Sequence, residues 1–189
     1  MSNESLSDLG KTLTDSFYKG LDREAILAAI RQNKKTLSAR EMVAAVWGIS
    51  DDAVLGKLVD LGLTSDTVAA ISLTPLVAVA WADGKLDKKE RAAVLEAARE
   101  YGLEPGDVSY LLLEGRLAER PDPELMDTWR NYIRMMSKIL DTESLCTLRG
   151  ELIARARQVA EASGGILGLG SKISKSELAL LDELEQAFS

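Results

Sequence analysis

The chain has 189 residues, a formal net charge of −7, 46% apolar and 28% charged residues. That balance is too apolar for disorder and too charged for a membrane-spanning chain: the longest uncharged stretch, Thr67 to Ala82, has 16 residues, fewer than the ~20 a spanning helix needs. There is no histidine, and Cys146 is the one cysteine, so internal disulfides, Ser-His and Cys-His catalytic pairs and the usual zinc and haem sites are excluded.

Apolar residues recur at spacings of three and four along the chain, and alternating β-branched runs are absent. An all-α fold is therefore expected. The first expected helix, 4–18, carries Leu6, Leu9, Leu13 and Phe17 on one face. It reads as a docked arm or as a partner-binding helix. A second helix over 23–35 ends near Arg31, Lys34, Lys35 and Arg40, a basic cluster that suits either a solvated helix end or a small binding patch. Ser38 and Glu41 form a capping box for a helix over 39–47, which Gly48 stops. Ser50-Asp51-Asp52 opens the next, over 51–61, with Val54, Leu55, Leu58 and Leu61 as its stripe. A helix over 66–82 contains Pro75, which predicts a start near Leu73 or a kink. Further helices are expected over 88–101, 105–117, 123–140, 143–162 and 175–188, with Asp87/Glu90 and Ser174/Glu177 as two more capping boxes. Cys146 is expected in the core. Trp47, Trp81 and Trp129 fall on apolar faces and are also expected there.

A repeat stands out. Val79-Ala-Trp-Ala-Asp-Gly84-Lys85-Leu86-Asp87-Lys-Lys-Glu90 aligns with Val159-Ala-Glu-Ala-Ser-Gly164 and, after an insertion from Gly165 to Ser171, with Lys172-Ile173-Ser174-Lys-Ser-Glu177. Seven of the twelve aligned positions are identical. Each copy reads as helix, glycine turn, buried apolar residue, N-cap and helix, so two similar hairpins are expected to pack as an internally duplicated helical bundle.

Leu76 to Glu90 resembles the signature of TerB-like domains, the tellurite-resistance protein B family, in which an Ala-Asp-Gly turn precedes an apolar residue, a polar cap and a Glu. The resemblance covers about residues 66–189. It implies a TerB-like duplicated helical domain over 65–189. Residues 1–64 lie outside the resemblance and are expected as an N-terminal helical extension packed on the domain, because Gly62 to Ser65 is too short for a free linker. The resemblance also implies an acidic metal site and a role in stress-response or membrane-linked complexes rather than catalysis. In the second copy Ser163 and Ser174 replace Asp83 and Asp87.

The metal ligands on this reading are Asp83, Asp87 and Glu90, three carboxylates at one turn that suit Ca or Mg. Against it, Asp87 and Glu90 are explained as cap and capping partner, Asp83 as a turn former, and Lys85, Lys88 and Lys89 oppose a cation. The stretch Gly164 to Lys172 looks like a phosphate loop but has Ser171 between the last glycine and the lysine, and it follows a helix. It reads as an apolar loop tucked into the core, or as a partner- or membrane-facing finger through Ile166, Leu167, Leu169 and Lys172. No residue pattern supplies a nucleophile beside a base. The expectation is thus a non-enzymatic cytoplasmic module that binds a divalent cation or a protein partner. The alternative is an ion-independent scaffold, peripheral to a membrane or bound to protein, acting through the 164–172 loop and the N-terminal helix. An acidic chain without a basic stripe is not expected to bind nucleic acid.

Overall fold

A computed structural model describes residues 5–21, 24, 38–100, 103–105, 107–164 and 173–189. The described residues form nine α-helices and no strand: α1 (Leu6–Tyr18), α2 (Ala39–Trp47), α3 (Asp52–Asp60), α4 (Ser65–Ala80), α5 (Lys88–Glu100), α6 (Val108–Arg116), α7 (Pro123–Ile139), α8 (Thr142–Gly164) and α9 (Lys175–Gln186). The expected helix over 23–35 lies outside the described residues. The capping boxes at Ser38/Glu41 and Ser174/Glu177 form as expected. The helix after Pro105 starts later than expected, at Val108 behind Asp107.

Helix α4 is the axis of the bundle. Every residue from Thr67 to Ala80 is buried, as an all-round apolar helix must be. Helices α1, α2, α6, α7, α8, α9 and α5 all pack on it. No single helix among the described residues is long and apolar enough to cross a membrane; the apolarity of α4 is spent on its neighbours.

Pro75 does not start this helix near Leu73: α4 runs from Ser65 to Ala80 with the proline inside it. Proline has no N–H, so the carbonyl four residues earlier, that of Ile71, loses its helical donor. The indole Nε1 of Trp129 on α7 donates to that carbonyl at 2.9 Å. At the next residue, Trp47 Nε1 donates to Ser72 Oγ at 2.9 Å, and Ser72 Oγ donates to Val68 O at 2.7 Å. Trp47 and Trp129 are fully buried, so these bonds answer a real desolvation cost.

Helix α1 is a docked element. Leu6, Leu9, Leu13 and Phe17 are buried in the same apolar cluster as the residues of α4 and α7. Gly10 permits the close approach: a Cβ there would stand 3.3 Å from Tyr132 Cε2 and 3.4 Å from Thr67 Cγ2. At the end of α1, the buried Arg116 donates from Nη1 to Lys19 O at 3.1 Å, and its guanidinium lies 5.8 Å from the centre of the Phe17 ring. Burial lowers the Arg116 pKa.

The two hairpins α4–α5 and α8–α9 lie together: α4 packs on α8, α5 on α8 and α9 on α4. The apolar cluster draws residues from both sides of position 64. Cys146 is exposed rather than buried. The buried face of α8 is set by Leu148, Leu152, Ile153, Ala156, Val159 and Ala160, and Cys146 is off that stripe.

Candidate functional site

The turn between α4 and α5 is built by local bonds. The helix closes as Trp81 N–H reaches Val77 O, followed by Ala82 N to Val79 O at 3.1 Å and Gly84 N to Trp81 O at 2.9 Å. Gly84 has φ +83°, a conformation that penalises any side chain. Asp83 Oδ1 accepts the Lys85 amide at 2.9 Å. Leu86 then packs against the core. Asp87 Oδ1 accepts the amides of Lys89 and Glu90 at 2.7 and 2.9 Å, and Glu90 Oε2 accepts the Asp87 amide at 2.8 Å. The second copy repeats the cap: Glu177 Oε2 accepts the Ser174 amide at 2.6 Å and Ser174 Oγ accepts the Glu177 amide at 3.2 Å.

The three candidate ligands therefore lie on one turn, each with an oxygen committed to the backbone. Asp83 and Asp87 are exposed and Glu90 is half-buried. A divalent ion would have to use Asp83 Oδ2, Asp87 Oδ2 and Glu90 Oε1. Among the described residues no group of three or more His, Cys, Asp or Glu side chains is arranged to hold a metal ion.

A cation that the linear motif did not reveal also stands here. Arg120, from the connection between α6 and α7, lays its guanidinium against Gly84, with Nη1 3.6 Å from where a Cβ would be. With exposed Lys85, Lys88 and Lys89, it opposes a second positive charge at the turn. Beside it, Arg91 Nη2 donates to Glu114 O at 2.8 Å and ties α5 to α6. Nothing in the local sequence linked Arg120 to Gly84.

The other expected sites divide. Ile166, Leu167, Leu169 and Lys172 lie outside the described residues, as do Arg31, Lys34 and Lys35. Arg40 is committed to α3, donating from Nη2 to Asp52 O at 3.1 Å with Nη1 3.4 Å from Asp52 Oδ1. Trp47 and Trp129 are core residues, whereas Trp81 is only partly buried. A partly open pocket of about 20 Å³ is lined by Met42, Val46, Ser72, Leu73 and Leu76, about the room of one water. Comparison with protein-family models, with curated proteins and with solved structures finds no match.

Proposed function

We propose that the chain is a non-enzymatic, TerB-like helical module that presents the Asp83–Glu90 turn to a protein partner in a stress-response setting akin to tellurite resistance. The observation that carries this reading is the turn itself. It is exposed, rigidly capped and continuous with the most buried helix of the molecule. The mutual packing of α4 with α8, α5 with α8 and α9 with α4 supports two equivalent hairpins.

A partner reading is favoured over an ion because the capping amides already satisfy one oxygen of each carboxylate and Arg120 stands over the turn. Calorimetry with Ca²⁺ or Mg²⁺ is expected to give no heat at millimolar ion and no change in the melting midpoint, since a ligand of the native state must raise it. Heat that disappears in Asp83→Ala would replace the partner with the ion. On the partner reading, Lys88→Glu/Lys89→Glu abolishes capture of a binding protein that the wild-type chain retains. The rival scaffold reading relies partly on α1, whose apolar face is consumed by the core. Deleting Gly165–Ser171 tests its other half, and loss of the same captured protein would favour it.

A further inference from the structure

We infer that the Asp83–Glu90 turn, joined by Arg120, takes an acidic segment of its partner protein, with Arg120 as the residue that reads the carboxylates. This rests on the partner reading above and adds the chemistry the partner must carry. It starts from a difference among the cations of the chain. Most described Lys and Arg side chains are tied to a carboxylate or a carbonyl, as Lys19 is to Asp122, Arg91 to Glu114 and Arg149 to Glu185. Lys85, Lys88, Lys89 and Arg120 have neither an ion pair nor a hydrogen bond among the described residues, and all four are exposed. The other described cations in that condition, Lys11, Lys138 and Lys175, are scattered over α1, α7 and α9.

The carboxylates of the same turn are spent on its backbone. Asp83 Oδ1 accepts the Lys85 amide, Asp87 Oδ1 those of Lys89 and Glu90, and Glu90 Oε2 that of Asp87. The ammonium and guanidinium groups have all their donors still to offer. The acidic neighbours of Arg120 are engaged elsewhere: Asp122 is bonded to Lys19 Nζ at 2.8 Å, and Glu119 acts on Arg116. Arg120 itself is seated on the turn. Its Nη1, Cζ and Nη2 stand 3.6, 3.8 and 4.0 Å from where a Cβ on Gly84 would be. Distances so nearly equal mean that the guanidinium lies with its face over the glycine and keeps its N–H edge free. That edge donates two parallel hydrogen bonds to one carboxylate, a geometry lysine does not offer.

The pattern favours a short acidic segment over an extended polyanion. A nucleic-acid backbone or an anionic membrane presents charge over a surface wider than one turn. It would meet the exposed Asp83 and Asp87 and the net charge of −7 on the chain. A segment with two or three Asp or Glu stays within the turn. One of its carboxylates takes the Arg120 fork and the others the lysines, which is complementarity by position rather than by net charge.

The test uses the full chain and a synthetic Glu/Gly peptide, with Gln/Gly and Lys/Gly peptides of equal length as controls. Amide signals of the Asp83–Glu90 turn and the Nε–H signal of Arg120 should shift with the Glu/Gly peptide alone, and binding should weaken as salt rises. Arg120→Ala should weaken it roughly tenfold, and Arg120→Lys, which keeps the charge and loses the fork, by less. Melting midpoints should stay unchanged, because Arg120 holds no bond among the described residues. Lys138→Ala, which removes an unpaired cation on α7, should leave binding as it is. The inference is overturned if no signal shifts at millimolar peptide, if the Gln/Gly peptide binds equally well, or if Arg120→Ala binds like the wild type. It is also overturned if phosphatidylglycerol vesicles or a single-stranded oligonucleotide shift the turn as strongly. Capture of a protein that Lys88→Glu/Lys89→Glu abolishes, without peptide binding, would sink the acidic segment and leave the partner reading standing. Peptide binding without any such capture would do the reverse.

Discussion

Helices α4 and α8 open the two similar hairpins, yet they live in different surroundings. From Thr67 onward α4 has no charged residue and no exposed one, while α8 carries Arg149, Glu151, Arg155, Arg157 and Glu161 around a buried stripe. The difference comes from what covers each helix. Helices α1 and α7 pack on α4, and each of these packs on the other as well. The face that a two-hairpin bundle would leave wet is thereby buried on α4, and its residues are apolar accordingly. The lesson is that similar hairpins become inside and outside according to which additional helices cover them.

The sharpest way to break this contrast is to remove its cover. Phe17→Ala in α1 should cost about 3–5 kcal/mol in chemical denaturation, because Phe17 is fully buried. Truncating Leu178, 42% exposed on α9, should change little. A small cost for Phe17→Ala would mean that α1 is not part of the α4 core.

Next in size is the bond that lets α4 keep its proline. Trp129→Phe leaves the Ile71 carbonyl buried without its donor and should cost about 1–3 kcal/mol. In that background, Pro75→Ala supplies a helical N–H to the same carbonyl. A double-mutant cycle should therefore show coupling of about 1 kcal/mol. Additive effects would separate the tryptophan from the proline.

The two caps compare the hairpins directly. Asp87→Ala and Ser174→Ala should each cost about 1 kcal/mol, since each removes the acceptor that caps its helix. Unequal losses in urea titrations would show that the two turns are not held alike.

The smallest effect concerns Tyr132, whose hydroxyl is buried and has no hydrogen-bond partner among the described residues. Burial holds its pKa above the ordinary value. The unfolded chain releases this proton near ~10 and the folded chain later, so stability is complete below about pH 10 and falls as pH rises beyond it. Tyr132→Phe should be close to neutral at pH 7 and should flatten that alkaline slope. Tyr18, raised by burial and then by Asp66, also contributes. An unchanged alkaline slope in Tyr132→Phe would assign the whole effect elsewhere.

Much of this molecule is local and was therefore readable in one dimension. Helix positions follow from apolar spacing, and the caps at Ser38, Asp87 and Ser174 follow from partners three residues apart. The candidate site was half legible. Asp83, Asp87 and Glu90 were visible as neighbours on a turn, but Arg120 reaches that turn from a connection far along the chain. Cys146 misled because a residue type reports average burial, whereas its place on α8 is decided by which stripe faces α4 and α5.

By itself the order of residues determined the helices, their caps and the Gly84 turn, because each depends on contacts within one or two turns of chain. Only tertiary structure decided that α4 is the axis, that Trp129 completes the bond Pro75 leaves open 58 residues away, and that Arg120 lies over Gly84. These depend on which surfaces meet once the helices pack, and no spacing along a single helix encodes that.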